Sequence, residues 1–266
     1  MPLDVVGRAD AQRAVRRVSS WTALARGMSV REGESPTVLV LMGGWRITDA
    51  SVRAWAEAVV RARPGMLNDA TLVAVEGPLD VDFRSKELGV DVLLARLVSH
   101  AERHGPAAKV WVVAHSSGAH VAATMFDRAF RQRPSQHRAL DGRVVYVDLD
   151  GDPSVPSDPE RSLSAGSVSG LARIVFAMGE DRERGLTGLS AAWMRASAVR
   201  HAPQSELYVH DASASGCTTN LCVHLSLVNL QPLPRGNASY AEVSERTINL
   251  RWLDAAVRSL EEQTRP

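Results

Sequence analysis

Short apolar runs recur along the chain and are separated by longer amphipathic stretches. Most of the runs are rich in Val, Leu and Ile and are bounded by turn or polar residues, which is typical of strands buried on both faces of a sheet. The predicted strands cover residues 37–42, 71–75, 109–113, 144–147, 174–178 and 206–209.

The stretches between these runs carry apolar residues at helical spacing, as Val52, Trp55 and Val59 do in the first of them. The predicted helices cover residues 51–63, 86–104, 118–132, 189–199 and 239–262. Because strands alternate with helices, the pattern predicts an α/β protein whose parallel sheet is covered by helices on both faces.

The beginning of the chain differs from the rest. Residues 1–34 are polar and arginine-rich, and we interpret them as a surface lead-in that is partly helical over residues 11–26. No internal repeat, low-complexity segment or long linker follows, so residues 35–266 are predicted to form a single domain.

Charge and composition narrow the classes of function. The 31 basic and 30 acidic residues nearly cancel, which argues against a nucleic-acid partner or a polybasic membrane anchor. No apolar run approaches the roughly 18 residues of a transmembrane segment, and the first residues lack the layout of a signal peptide. We therefore expect a cytoplasmic protein, with a secreted mature form left open. Cys217 and Cys222 could close a small disulfide loop or be two ordinary thiols, and in a cytoplasmic setting the reduced form is expected.

The segment Ala114-His115-Ser116-Ser117-Gly118 carries the clearest chemical signal. It follows a predicted buried strand and precedes a predicted helix, and it matches the G-x-S-x-G nucleophile elbow with Ala in place of the first Gly. Small flanking residues are needed there because the sharp turn brings neighbouring backbone together. Ser116 is therefore the candidate nucleophile; the alternative is that Ser116 or Ser117 only caps the helix.

The sequence HSSGAHVA at residues 115–122 resembles the elbow of α/β-hydrolase esterases and lipases, in which G-H-S-x-G-A-H-x-A recurs. The likeness is strongest to the pancreatic-lipase-like and small-esterase branches, and at the level of motifs it extends over about residues 37–225. It implies the α/β-hydrolase fold, a mostly parallel, doubly wound sheet. His115 and His120, which flank the elbow, are interpreted as parts of the scaffold.

The resemblance also implies two backbone amides that hold an oxyanion. One belongs to Ser117, the residue after the nucleophile. The other falls in Met42-Gly43-Gly44-Trp45, at Trp45 or Gly44, because this segment is similar to the family's H-G-G loop. A tight turn between a strand and a helix would explain the two glycines equally well, and the two interpretations are compatible.

In this family the general base follows the last strand. The candidates are His210 and His224, and His224 is favoured because Cys222-Val223-His224-Leu225 resembles the family's C-x-H-L segment. It is expected to lie in a loop that reaches back over the sheet.

The acid is a choice between neighbours. Asp150 and Asp152 both follow the strand at 144–147, where lipase-like members carry their acid, and Asp150 is chosen because it is nearer the strand. Asp181 is a third candidate, after the strand at 174–178, although Arg182 occupies the usual position of the acid there.

These roles predict a serine hydrolase of carboxylic esters or thioesters that forms an acyl-enzyme and needs neither a metal nor an organic cofactor. The partner expected is a small-molecule acyl substrate in a fairly open cleft, because residues 151–172 are too few and too polar for a large cap. The alternatives are an acyltransferase or cyclase with the same acyl-enzyme, and a catalytically inactive scaffold. The oligomeric state stays open.

Overall fold

The fold is seen in a computed structural model that describes residues 20–78, 84–150, 172–178, 205–210, 220–228, 230–232, 241–243 and 251–263. Eight strands form one sheet in the order β1-β2-β4-β3-β5-β6-β7-β8. These strands are β1 (Thr22–Ala25), β2 (Met28–Arg31), β3 (Thr37–Met42), β4 (Thr71–Val75), β5 (Lys109–His115), β6 (Val144–Leu149), β7 (Ala172–Met178) and β8 (Ser205–His210). Strands β3 to β8 run parallel, and β2 joins β4 antiparallel.

Helices flank the sheet, and a short hairpin lies outside it. The helices are α1 (Asp49–Ala62), α2 (Pro64–Leu67), α3 (Arg84–His104), α4 (Gly118–Phe126), α5 (Asn220–Ser226) and α6 (Arg251–Gln263). A π-helical turn, Asp127–Gln132, continues α4, and short 3-10 helices cover Gly105–Ala107 and Pro134–Leu140. The hairpin consists of β9 (Leu230–Pro232) and β10 (Ala241–Val243).

Alternating residues of the central strands pack into two separate cores. Leu39 and Leu41 of β3 face one core, which also contains Trp55 of α1 and Trp252 of α6. Val40, between them in sequence, faces the other core, together with residues of α3 and α4. Since successive side chains of a strand point to opposite faces, helices on both sides of the sheet explain why these strands are apolar throughout. The predicted parallel sheet with helices on both faces is confirmed.

The prediction for the start of the chain is wrong in its second half. Residues 11–19 of the predicted helix over residues 11–26 lie outside the described residues, and its end is wrong, because residues 22–25 form β1. This strand pairs with β2 in a hairpin around Gly27, whose φ is +68°. Met28 and Val30 are buried in the core, so a polar surface lead-in does not extend to residue 34. Two strands of four residues are too short to show a reliable alternation in sequence.

The predicted C-terminal helix begins too early. Residues 241–243 form β10, which pairs with β9, and the helix begins at Arg251. A pairing partner brought from elsewhere in the chain outweighs the helix propensity of so short a segment. The helix predicted over residues 189–199 lies outside the described residues. No helix in the described part of the chain combines the length and the apolar character needed to cross a membrane.

Candidate active site

Ser116 occupies the sharp turn between β5 and α4, as predicted. Its φ is +53°, a left-handed conformation that a residue with a side chain adopts only where the surroundings impose it. The Ser116 amide donates to the carbonyl oxygen of Leu149, the last residue of β6, at 3.1 Å. A Cβ on Gly118 would lie 2.7 Å from the carbonyl oxygens of Met42 and Gly43, so this position of the elbow requires glycine. The turn therefore holds the candidate nucleophile at the carboxyl edge of the parallel strands.

The loop after β3 lies directly against the elbow. A Cβ on Gly44 would stand 2.8 Å from the Cβ of Ser116, so only a glycine allows this approach. Two backbone hydrogen bonds join this loop to the turn at residues 76–78. The Arg46 amide donates to the carbonyl oxygen of Pro78 at 2.8 Å, and the Gly77 amide donates to that of Ile47 at 2.9 Å. Arg46 in this loop has a φ of +54° and is, after Ser116, the second residue with a left-handed conformation.

Among the described residues, no acceptor is seen for the backbone amides of Ser117 and Gly44 at this junction. Both belong to segments in which the sequence predicted oxyanion donors. Trp45, the other predicted donor, follows Gly44 in the same loop; its side chain is 47% exposed, and the guanidinium carbon of Arg46 lies 5.6 Å from its ring centroid. Free amides that converge on a nucleophile can stabilise a negatively charged oxygen.

His224 and Asp150 form a buried pair next to this junction. His224 Nδ1 lies 2.6 Å from Asp150 Oδ2, and the exposed fractions of the two side chains are 5% and 0%. Asp150 immediately follows Leu149, whose carbonyl oxygen holds the Ser116 amide, so the carboxylate and the candidate nucleophile meet at one edge of the sheet. Asp150 has a φ of +54°, the third left-handed residue of the site.

The pairing assigns the tautomer of His224. A carboxylate only accepts hydrogen bonds, so Nδ1 carries the proton that joins the pair, and in an imidazole with this tautomer Nε2 is an acceptor. The structure thus brings together two of the residues predicted from sequence, with one correction: His224 lies on the helix α5 and not in a loop. His210 ends β8, on a different element, and Asp152 and Asp181 lie outside the described residues.

His115 also belongs to the site, although the sequence analysis did not predict a role for it there. It is 1% exposed, and its Nε2 lies 3.2 Å from the backbone carbonyl oxygen of His224. The two imidazole rings also touch, with centroids 4.3 Å apart and planes inclined by 38°. Burial lowers the pKa of His115 well below the usual value, and the neighbouring His224 lowers it further, so this ring is neutral. The sequence holds no signal for this contact, which joins residues 109 positions apart.

The state of the cysteines differs from the prediction. Cys222, on α5 and two residues before His224, is disulfide-bonded, so the expectation of reduced cysteines is wrong. Cys217 is the only other cysteine of the sequence. The expectation rested on an assumed cytoplasmic setting, whereas disulfides persist chiefly in oxidising compartments. Among the described residues, no group of three or more His, Cys, Asp or Glu side chains could hold a metal ion.

Comparison with solved structures identifies the fold. An α/β-hydrolase enzyme from a Medee basin deep-sea metagenome library matches with a TM-score of 0.54 at 12% identity, over 92% of this chain and 96% of that one. Esterase B of Lactobacillus rhamnosis matches with a TM-score of 0.51 at 13% identity, over 96% and 90%. A proposed carboxylesterase of Lactobacillus plantarum WCFS1 also reaches a TM-score of 0.51, at 11% identity, over 89% and 92%.

At these identities the likeness concerns the fold alone. Together with the strand order, it shows that the chain has the α/β-hydrolase fold and confirms the fold class predicted from the elbow motif. No protein-family model matches the sequence, and no curated protein matches it significantly.

Proposed function

We propose that this protein is a serine hydrolase that cleaves a carboxylic ester or thioester through an acyl-enzyme on Ser116. The observation that carries the proposal is the buried His224–Asp150 pair, which lies at the edge of the sheet where Ser116 is held at a positive φ. Strained residues cluster at active sites because the surrounding structure must hold them in place, and here three of them surround one junction.

The roles follow from the protonation states. Asp150 accepts the proton on Nδ1 of His224, which leaves Nε2 of the ring to take the proton of the Ser116 hydroxyl. The Ser116 oxygen then attacks the acyl carbon, and His224 returns the proton to the leaving group. Water, deprotonated by the same histidine, releases the acid and restores Ser116. Asp150 keeps its negative charge throughout and stabilises the imidazolium that forms in each half-reaction.

The oxyanion of each tetrahedral intermediate is stabilised by backbone amides. We assign one donor to Ser117, whose amide has no acceptor among the described residues, and the other to the Gly44-Trp45 segment beside Ser116. Amides fixed before the reaction need no reorganisation when charge develops on the oxygen, which is why such donors contribute strongly to catalysis.

The proposed class of substrate is supported by the names of the structural neighbours and by the chemistry of the site. Two of the three proteins compared above are named as esterases, and one of them was studied with a tributyrin phosphonate. An acyl-enzyme on serine serves esters and thioesters alike. The predicted open cleft depends on residues 151–171, which lie outside the described residues, so the open cleft stays a prediction.

A panel assay tests this proposal. The purified protein is offered p-nitrophenyl esters of increasing acyl length, acyl thioesters, and the best ester together with an amine acceptor. We expect turnover of short esters or thioesters by water. Transfer of the acyl group to the amine in preference to water would favour an acyltransferase. No turnover of any member by folded protein would favour an inactive scaffold.

Substitution of Gly77 is expected to damage the loop that carries the second oxyanion donor. A Cβ at Gly77 would stand 1.6 Å from the carbonyl oxygen of Gly44, so Gly77→Ala must displace backbone beside Ser116. A displacement of about 1 Å at a reacting centre costs about 100-fold in rate, and we expect the turnover number for an ester to fall by about 10- to 100-fold. Melting temperature is measured in parallel, and a decrease of several degrees is expected from overpacking.

Gly65→Ala is the matched control, because a Cβ there meets nothing within 4 Å. This variant makes the same glycine-to-alanine change away from the elbow, and we expect its turnover number and melting temperature to equal those of the wild type. If Gly77→Ala behaved like Gly65→Ala, the loop after β3 would not need its present position, and the assignment of the second donor would fail.

A further inference from the structure

We infer that His115 is a positioning residue for the general base: it caps the end of helix α5 through the carbonyl oxygen of His224 and packs against the His224 ring. The inference rests on the proposed function, in which His224 is the base. It gives a role to a buried histidine that is neither one of the three residues of the mechanism, Ser116, His224 and Asp150, nor an oxyanion donor.

The direction of the hydrogen bond follows from the chemistry of its two atoms. A backbone carbonyl oxygen only accepts, so Nε2 of His115, 3.2 Å from that oxygen, must carry a proton. Since the ring is fully buried and neutral, Nδ1 is then unprotonated. The surroundings agree, because no hydrogen-bond partner of Nδ1 is seen among the described residues. His115 is therefore the Nε2–H tautomer.

Among the described residues, the carbonyl oxygen that accepts this hydrogen bond has no other donor. The last four carbonyl groups of a helix have no partner within it, and His224 lies in the last turn of α5. The amide four residues on, that of Val228, donates to Leu225 instead. Histidine side chains can satisfy such terminal carbonyls, and a buried one left unpaired would be costly.

His115 and Asp150 together fix the base from two sides. Asp150 holds the imidazole through Nδ1, whereas His115 holds the backbone of the same residue and covers one face of its ring. Because His115 directly precedes Ser116, one short segment contains both the nucleophile and the residue that positions His224. Any movement of β5 therefore carries both groups together, which preserves the distance that proton transfer requires.

A pair of variants separates the hydrogen bond from the volume of the side chain. His115→Gln keeps an amide donor close to the position of Nε2, and His115→Met has nearly the same length without a donor. We expect the Met variant to lose about 10- to 100-fold in turnover number with KM changed by less than about twofold, because the base is misplaced while the binding cleft is intact. The Gln variant should recover to within about fivefold of the wild type.

The outcomes are distinguishable from failure of the proposed function. Wild-type protein that turns over no ester and is not modified at Ser116 would refute that function, and the role of His115 with it. If the wild type is active and the Gln and Met variants are reduced equally, or neither is reduced, the positioning role of the hydrogen bond is refuted alone.

A measurement on the wild type decides the matter if the Met variant does not fold. In a protein with 15N-labelled histidines, the ring signals missing from the spectrum of His115→Gln belong to His115. We expect Nε2 of His115 to be protonated and its Nδ1 to be unprotonated from about pH 5 to about pH 8, the range in which an ordinary histidine changes charge. Protonation of Nδ1 in that range, with or without Nε2, would overturn the tautomer and the inference built on it.

Discussion

Ser116→Ala is expected to lower ester turnover by at least about 10⁴-fold, since removal of the nucleophile leaves only the catalysis that binding and oxyanion stabilisation provide. The fold should survive, because Ala has the same Cβ as Ser and the hydrogen bonds of Ser116 seen among the described residues are made by its backbone. Steady-state kinetics with a p-nitrophenyl ester, accompanied by the melting temperature, measures both quantities. Residual turnover within about tenfold of the wild type would contradict the role of Ser116.

Ser117→Ala provides the neighbouring comparison. The same substitution one residue further along removes a buried hydroxyl for which no hydrogen-bond partner is seen among the described residues, but it keeps the amide assigned to the oxyanion. We expect turnover to fall by less than about tenfold. A large loss in this variant, matching that of Ser116→Ala, would mean that the hydroxyl of Ser117 and not that of Ser116 is the reacting group.

Asp150→Asn is expected to lower the turnover number by about 10³- to 10⁴-fold while KM changes little. An amide side chain can donate to Nδ1 of His224, so the variant favours the tautomer whose Nε2 already carries a proton and cannot act as a base. It also removes the negative charge that stabilises the imidazolium. Stability should fall as well, because the carboxylate is fully buried against its partner.

Asp152→Asn is the competing variant, since Asp152 was the nearest alternative in sequence. We expect it to retain turnover within about threefold of the wild type, because the acid of the mechanism is assigned to Asp150. A reversal, with Asp152→Asn inactive and Asp150→Asn near normal, would move the acid to Asp152 and leave the buried Asp150 contact a structural one.

The central sheet could be predicted from sequence because its strands are buried on both faces. Such strands are continuous apolar runs, and residues 37–42 match β3 without error. The hairpin of β1 and β2 escaped detection because its strands have four residues each and their pairing depends on β4, which lies far along the chain. Local pattern contains no information about such a partner.

The candidate site could be predicted only in part from the sequence. The elbow at Ser116 was found because a strand, a turn and a helix follow one another in sequence, whereas the contact between His224 and Asp150 joins residues 74 positions apart. Sequence reasoning chose both residues by resemblance, and the structure adds their contact. His115 was interpreted as scaffold, since nothing in a linear motif indicates that its ring reaches the carbonyl oxygen of a residue 109 positions away.

The most direct test of the central claim is covalent labelling of the folded wild-type protein with a fluorophosphonate, followed by mass spectrometry of its peptides. Such a reagent phosphonylates a serine that a neighbouring base activates. We predict a single adduct on Ser116 that is absent from heat-denatured protein and from the Asp150→Asn variant over the same short exposure. Folded protein in which Ser116 stays unmodified after long exposure would contradict the account.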